Sequence, residues 1–194
     1  MKTFTRVQAA EALKKGAVGI IPTDTVYGVV CSALHPQALE RLYAIKKRHP
    51  NKAYIVLISA LDDVAQFTTL SHKIQTLLTQ VWPGPVSVVL PTKNTTLAYL
   101  HRGNASIAFR LPADPSLQAL LKVSGPLAAP SANPNGLPPA KTVTEAYAYF
   151  KNDVDFYVDG GPLYNSPSTL IELDENDAVK VLREGAIKIS LDTM

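Results

Sequence analysis

Five potential cations lie close together in the stretch IKKRHPNKAYIVLI, residues 45–58. They are Lys46, Lys47, Arg48, His49 and Lys52. Basic residues at a helix C-terminus often do no more than interact with its exposed carbonyl groups. Here Lys46 and Arg48 are two residues apart where a helix should end, and Lys52 follows within a Pro-Asn turn. An arginine fork beside mobile lysine charges suits a polyanion, so the cluster indicates a triphosphate site.

Two polar loops follow short apolar segments. APSANPNG places Ser131 and Asn133 two residues apart, and PTDTVYG places Thr23 and Thr25 on either side of Asp24. Each stretch is compatible with a plain turn, which in PTDTVYG would be an Asx turn led by Asp24. Hydroxyl, carboxamide and loop N–H groups at strand ends also form anion-binding walls, and open α/β sheets bind ligands at such ends.

Two arginines end predicted strands: Arg110 closes SIAF, and Arg183 follows AVKVL. An arginine at a strand end is usually solvated. Two of them beside two polar loops nevertheless fit the recognition of carboxylate and phosphate groups.

Several common catalytic motifs are absent from the sequence. It has no G-x-x-x-x-G-K-[ST], no G-x-G-x-x-G and no G-x-S-x-G. The four histidines do not have the spacing of a zinc site, and Cys31 is the one cysteine. We therefore expect no protein-bound metal, and chemistry that rests on positioning and electrostatics rather than on a protein nucleophile.

The composition is that of a globular protein. The chain has 194 residues, 46% of them hydrophobic, and a formal net charge of +3. This charge permits an anionic ligand but does not by itself indicate a nucleic-acid binder. A single cysteine forms no disulfide framework, and no signal peptide or apolar run of membrane-spanning length is present. We expect a cytoplasmic protein.

The periodicity of apolar residues predicts a mixed α/β (α+β) fold with one sheet. Helices are predicted after Thr5, over 35–48, over 71–81, from Ser116, and after a capping box that joins Thr142 to Glu145. Strands are predicted over 17–21, 53–58, 86–90, 105–111, 126–129, 154–161, 168–173 and 178–182. Because short loops separate the last three strands, we expect a mixed sheet. No linker divides the pattern, so residues 1–194 are expected to form a single domain.

These segments together resemble the YrdC-like family of threonylcarbamoyl-adenylate synthases. The resemblance covers residues 5–188 and rests on IPTDTVYGVVC, LYAIKKRHPNKAYIVLI, WPGPVSVVLP, IAFRLP, GPLAAPSANPNG, PSTLIEL and VLREGAI. Its specific part is the paired signature K-x-R and S-x-N, here Lys46 to Arg48 and Ser131 to Asn133. The family implies a twisted mixed sheet flanked by helices around a positively charged concave cleft.

The resemblance also implies an activity. L-threonine, bicarbonate and ATP would give L-threonylcarbamoyladenylate and pyrophosphate, and the product would go to a tRNA threonylcarbamoyl-transferase complex for N6-threonylcarbamoyladenosine (t6A) modification. Mg²⁺ would be bound through the phosphates of ATP. Lys46 and Arg48 would be catalytic.

Further site residues follow from the resemblance. ATP would contact Lys46, Arg48, Lys52, Ser106, Ser131, Asn133 and Arg183. Threonine would contact Thr23, Thr25, Arg110, Ser168 and the Ala129 backbone. Leu57 stands where many relatives carry a histidine.

Two alternative functions fit the same residues. The basic cleft could bind tRNA or another double-stranded RNA, although the aromatic residues do not interleave with the cations as base-stacking platforms would. Alternatively, the protein could form a carbamoyl-adenylate with another acceptor, as related domains of larger maturation proteins do.

Overall fold

The described strands lie in one sheet. The computed structural model describes residues 1–47, 49, 51–173 and 179–189. The strands are β1 (Val18–Ile21), β2 (Gly28–Ser32), β3 (Ile55–Leu57), β4 (Val86–Pro91), β5 (Ser106–Arg110), β6 (Leu127–Ala128), β7 (Phe156–Tyr157), β8 (Thr169–Leu173) and β9 (Val179–Arg183). The helices are α1 (Arg6–Lys14), α2 (Pro36–Lys46), α3 (His72–Val81), α4 (Ala98–His101), α5 (Pro115–Ser124) and α6 (Val143–Phe150). Short 3₁₀ helices span Leu61–Gln66 and Thr95–Leu97.

The sheet is mixed, as the sequence predicts. Its strand order is β7-β1-β2-β6-β3-β5-β4-β8-β9. The pairs β1–β7, β3–β5 and β4–β8 are parallel, and the other described pairs are antiparallel. Strand β7 lies at one edge while β8 and β9 form the other, so the last three strands frame the whole sheet.

Side-chain caps explain where several helices begin. The Thr5 hydroxyl accepts a hydrogen bond from the backbone N–H of Gln8, and the Gln8 carboxamide accepts from the N–H of Thr5. This reciprocal box satisfies two amide donors that the first helical turn leaves unpaired. Ser71 caps α3 in the same sense through the N–H of Ile74. Both predicted helix starts are confirmed.

One predicted helix start and one predicted capping box need correction. Helix α5 begins at Pro115 rather than at Ser116, because the Asp114 carboxylate accepts from the N–H of Leu117 and from the Ser116 hydroxyl. The predicted box at Thr142 is only half formed, since the Glu145 carboxylate accepts from the N–H of Lys141 instead of from Thr142.

Helices cover both faces of the sheet with apolar side chains. On one face, α1 and α5 contribute Ala9, Leu13, Leu117 and Leu121 to a core with Val30 of β2. The larger core on the other face takes its α-helical residues from α2, α3, α4 and α6. Within the described ranges no helix combines the length and the apolar character that crossing a bilayer requires.

Candidate active site

A cavity of about 510 Å³ lies over the central strands of the sheet. The predicted site residues that line it are Thr23, Thr25, Ser106, Arg110, Ala129, Ser131, Ser168 and Arg183. It is also lined by Val26, Tyr27, Gly28, Ala53, Tyr54, Ile55, Val89, Asn104, Ala108, Pro130, Pro167, Leu170, Glu172 and Leu182. The cavity thus gathers eight of the twelve predicted residues, which are widely separated in the sequence.

Strand alternation aims part of this set at the cavity. In β5, Ser106, Ala108 and Arg110 line the cavity, whereas Ile107 and Phe109 lie in the large core. Successive side chains of a strand point to opposite faces, so the apolar residues of β5 fix the direction of its polar ones.

Arg110 is the most buried cation of the cavity wall. Its side chain is 6% exposed; it donates to the Asp24 carboxylate at 3.0 Å and to the Thr25 hydroxyl at 3.2 Å. Burial lowers the pKa of Arg110, the Asp24 carboxylate opposes that shift, and the nearby Arg183 guanidinium adds to it. Arg110 Nε and Asp24 Oδ2 find no hydrogen-bond partner among the described residues. A guanidinium has five N–H donors and these two bonds use one on each Nη, so Arg110 keeps donor capacity on its two Nη atoms.

The two threonines of the first loop form a local network. Thr23 donates its hydroxyl to the carbonyl of Val26 at 2.7 Å and accepts from the N–H of Thr25 at 3.1 Å. The two hydroxyl oxygens are 3.1 Å apart, and both residues are buried. This network holds Thr25 against Arg110. Among the described residues the Asp24 carboxylate accepts from Arg110, so the Thr23 hydroxyl orders the loop in place of the Asx turn that the sequence allowed.

Ser168 and Arg183 also line the cavity and contact each other. Arg183 Nη2 donates to the carbonyl of Ser168 at 2.8 Å and approaches its hydroxyl oxygen at 3.3 Å. The Ser168 hydroxyl is 2.8 Å from that of Ser87 on β4. A side-chain carbon on Gly185 would come within 2.4 Å of the Pro167 carbonyl oxygen. Glycine at position 185 therefore allows the backbone after β9 to lie against Pro167.

Lys46 ties the first predicted cluster directly to the S-x-N loop. It is 3% exposed, and its ammonium donates to the carbonyls of Ser131 and Asn133, each at 2.5 Å. Asn133 Oδ1 lies 3.3 Å from the same ammonium and accepts from the Ser131 hydroxyl at 2.5 Å. The two halves of the K-x-R and S-x-N signature are therefore bonded to each other.

An aromatic stack backs another part of the wall. Tyr54 lines the cavity and stacks on Tyr43, with ring centroids 4.3 Å apart. The Arg102 guanidinium lies 4.0 Å from the centroid of the Tyr43 ring and also pairs with Glu40. The Tyr54 ring is held by this packing, which gives the cavity a flat apolar surface.

The remaining predicted residues stand outside the cavity lining. Lys46 and Asn133 are bonded to Ser131, which lines the cavity. Lys52 is exposed, and its carbonyl accepts from the Tyr43 hydroxyl. Arg48 lies outside the described residues. Leu57, in the position where relatives often carry histidine, is fully buried in the smaller core and pairs with Arg110 in the sheet register.

Three contributors to the site were not predicted from the sequence. Asp24 was noted as part of a polar loop or as a turn former but was not assigned a site role, and it is the ion-pair partner of Arg110. The Tyr27 hydroxyl accepts from the N–H of Gly160 and donates to the carbonyl of Gly161, which anchors the segment leading to Ser168. The third contributor is Ser87, which bonds to Ser168. Its sign in the sequence is that it interrupts the apolar run VSVVL.

The charges of the cavity suit an anion. Its described lining includes the cations Arg110 and Arg183 and one acid, Glu172. Among the described residues, no group of three or more His, Cys, Asp or Glu side chains is arranged to hold a metal ion.

Comparison with known proteins identifies relatives. The family model Sua5/yciO/yrdC, described as "Telomere recombination", matches residues 11–185. The threonylcarbamoyl-AMP synthase of Pseudomonas fluorescens (strain Pf0-1) is 32% identical over 179 residues, which are 89% of this chain and 95% of that protein. The synthase of Bacillus subtilis (strain 168) is 33% identical over 184 residues, 93% of this chain and 53% of that protein.

Solved structures show the same architecture. Sua5 of P. abyssi in complex with L-threonine aligns with a TM-score of 0.85 and 30% identity, over 93% of this chain and 53% of that one. E. coli YciO aligns with a TM-score of 0.85 over 98% of this chain and 95% of that one; at 24% identity this shows likeness of fold. The chain spans about half the length of the P. abyssi protein.

Proposed function

The chain belongs to the Sua5/YciO/YrdC family, and from this premise we propose that it is a threonylcarbamoyl-AMP synthase. Such an enzyme makes L-threonylcarbamoyladenylate and pyrophosphate from L-threonine, bicarbonate and ATP. The observation that carries the proposal is the single cavity in which Arg110, Ser131, Ser168 and Arg183 converge. Its relatives bear this enzyme's name, and P. abyssi Sua5 has been solved with L-threonine.

Arg110 is proposed to bind the threonine carboxylate. Arg110 lines the cavity, and it lies beside the hydroxyl of Thr25. Thr23, the Ala129 backbone and Ser168 complete the threonine site in this proposal. A guanidinium and a carboxylate pair through charge-assisted hydrogen bonds, and burial makes such a pair selective for the anion.

The other residues are proposed to surround ATP. These are Lys46, Arg48, Lys52, Ser106, Ser131, Asn133 and Arg183. The threonine amine nitrogen first forms a bond to the carbon of bicarbonate, and water leaves to give a carbamate. A carbamate oxygen then bonds to the α-phosphorus while the bond to pyrophosphate breaks. Cations aimed at the phosphates stabilise the charge that develops on the departing oxygens.

Lys46 acts in two ways in this proposal. Its bonds to the carbonyls of Ser131 and Asn133 keep the S-x-N loop at the cavity, and its charge adds to the field that attracts the phosphates. Arg48 is proposed to contact the phosphates directly. Mg²⁺ is proposed to arrive with ATP and to neutralise phosphate charge when bound. The cavity's two arginines beside a single acid fit a nucleotide that brings its own cation.

The cellular setting is also part of the proposal. We place the reaction in the cytoplasm, with residues 1–194 acting as one domain. The product is proposed to pass to a tRNA threonylcarbamoyl-transferase complex, which installs the t6A modification. Any contact of this chain with RNA is proposed to be weak.

A product assay tests the proposal. The protein is incubated with ATP, L-threonine and isotope-labelled bicarbonate, and the products are identified by mass spectrometry. Labelled L-threonylcarbamoyladenylate and pyrophosphate should appear together, and only when all three substrates are present. Pyrophosphate release without threonine, or a product without the label, contradicts the proposal.

Two further comparisons make the assay specific. L-Valine and 2-aminobutyrate should be poorer acceptors than threonine, because a site that pairs the substrate hydroxyl rejects analogues without it. Equal turnover with valine contradicts the threonine assignment. Salt-sensitive retention on double-stranded RNA, without any product, would favour the RNA-binding alternative.

A further inference from the structure

Ser87 is a polar residue in an apolar strand, directly beneath the cavity wall. In β4, Val86, Val88 and Leu90 point into the large core, whereas Val89 lines the cavity. By strand alternation Ser87 lies on the same face as Val89, and it is fully buried. A buried hydroxyl in such a strand needs a hydrogen-bond partner.

The Ser87 hydroxyl has one hydrogen-bond partner within the described part of the chain. That partner is the hydroxyl oxygen of Ser168, at 2.8 Å. Arg183 Nη2 also lies 3.3 Å from the same oxygen, and a guanidinium can only donate. Ser168 Oγ is thus the acceptor available to two donors.

These contacts fix the direction of the protons. A buried donor without an acceptor is costly, so the Ser87 O–H donates to Ser168 Oγ. The opposite order would leave the Ser87 proton without an acceptor among the described residues. With both neighbours donating to it, Ser168 keeps its own proton for the cavity that it lines. Ser168 therefore presents a donor, which seeks an oxygen atom of the ligand.

The surroundings indicate which oxygen this is. Val88 pairs with Phe109 in the antiparallel β4–β5 ladder, so Ser87 and Arg110 flank that pair at the same end. Arg110 and Arg183 interact electrostatically across this part of the cavity. A donor beside two cations suits an anionic oxygen better than a neutral hydroxyl.

We propose that Ser87 is a positioning residue that holds Ser168 as a hydrogen-bond donor to the carboxylate of the amino-acid substrate. The inference rests on the proposed function for the identity of that substrate. Ser87 does not touch the substrate itself; it acts by determining which way the Ser168 proton points.

A matched pair of variants tests this role. Ser87→Thr keeps the hydroxyl, and Ser87→Val has nearly the same shape without it. We expect Ser87→Val to raise the KM for threonine about tenfold, as for loss of a bond to a charged group, with the KM for ATP changed less than about twofold. Ser87→Thr should stay within about threefold of the wild type. Equal threonine KM values in the two variants would overturn the inference.

A second serine controls for general destabilisation. Ser124 on α5 is 5% exposed, and its hydroxyl donates to the Gly125 carbonyl, away from the cavity lining. Ser124→Ala should leave both KM values unchanged. In a Ser168→Ala background, Ser87→Val should add no further increase in the threonine KM, because the hydroxyl it orients is gone. A full additional tenfold increase contradicts the coupling.

An acceptor without the side-chain hydroxyl identifies the ligand oxygen. 2-Aminobutyrate retains the carboxylate, so Ser87→Val should impair its use by the same factor as that of threonine. A loss confined to threonine would overturn the carboxylate assignment.

Calorimetric titration with L-threonine separates this inference from the proposed function. If the wild type binds threonine but forms no threonylcarbamoyl product, the proposed function fails, while weaker binding by Ser87→Val and not by Ser87→Thr still supports the role of Ser87. Unchanged threonine affinity in Ser87→Val, or no threonine binding by the wild type, overturns the inference.

Discussion

Two walls of the cavity are built by different means. Ser106 and Arg110 sit on a central strand, where backbone pairing with both neighbours fixes their positions. Ser131 and Asn133 sit in a loop whose carbonyls are bound by the ammonium of Lys46. The strand wall draws its geometry from ladders on both sides of β5, whereas the loop wall has one isolated bridge between Gly28 and Ser131, a few backbone bonds and the ammonium of Lys46.

The difference teaches where each wall is vulnerable. Replacing a side chain of the strand wall removes a chemical group but leaves the ladder intact. Replacing Lys46 leaves the chemical groups of the loop in place but removes one of the contacts that position them. The two kinds of substitution should therefore differ in their effects on folding stability, on amide hydrogen exchange and on enzyme kinetics.

The largest effect is expected from Arg110→Ala on the strand wall. The Asp24 carboxylate, with a side chain only 10% exposed, would lose its partner while buried. Breaking a buried pair in this way costs about 3–5 kcal/mol, which urea unfolding measures. Adding Asp24→Asn to this variant should recover part of the loss. Stability within about 1 kcal/mol of the wild type would contradict the account of the pair.

A more local effect is expected from Lys46→Met, which keeps the apolar stem and removes the ammonium. Two loop carbonyls would lose a charged donor, at a cost of about 1–3 kcal/mol. Hydrogen exchange should accelerate at the amides of Ala132 and Ala140, which donate to the carbonyls of Tyr27 and Ala132, and not at Val88 in β4. Lys47→Met is the control, since Lys47 is exposed. Equal acceleration in both walls would remove the distinction between them.

The smallest effect on activity is expected from Cys31→Ala, at a residue that belongs to neither wall. Cys31 is fully buried in β2, and burial raises the pKa of its thiol to about 12. The native thiol should resist iodoacetamide at about pH 8 and react after unfolding, as thiol counting by mass spectrometry shows. Product formation should remain within about twofold of the wild type, because no bond to the thiol is needed; loss of activity would point to covalent chemistry.

The raised pKa of the Cys31 thiol makes its contribution to folding stability depend on pH. In the unfolded chain the Cys31 thiol ionises at about pH 8.5, whereas in the folded chain it keeps its proton up to about pH 12. Between these values the folded state binds more protons than the unfolded state. The Cys31 contribution to folding stability therefore falls as pH rises through this window.

The sequence was a good guide to the strand wall. The apolar stretch SIAF predicts a strand closed by Arg110, and this is confirmed by β5, which ends at Arg110. The helix caps at Thr5 and Ser71 could be predicted because a cap involves residues three apart in the chain. Local periodicity and local bonds are both properties that a sequence displays directly.

Long-range bonds were out of reach of the same reasoning. Lys46 and Ser131 were predicted to share an anion, but their direct bond spans 85 positions and depends on the strand order. Ser87 and Ser168 are 81 positions apart and meet because β4 and β8 pair in parallel. Which strands become neighbours depends on the packing of the whole sheet, and short polar breaks in a strand do not reveal their partners.

The lone tryptophan of the chain lies at the start of the strand that carries Ser87. Trp82 is 6% exposed, and its indole N–H donates to the carbonyl of Val86 at 2.7 Å. The protein therefore contains a single tryptophan fluorophore, buried and hydrogen-bonded five residues before Ser87. Its emission should shift to longer wavelength when the strand becomes solvated, so one optical signal reports the integrity of this part of the sheet without any added label.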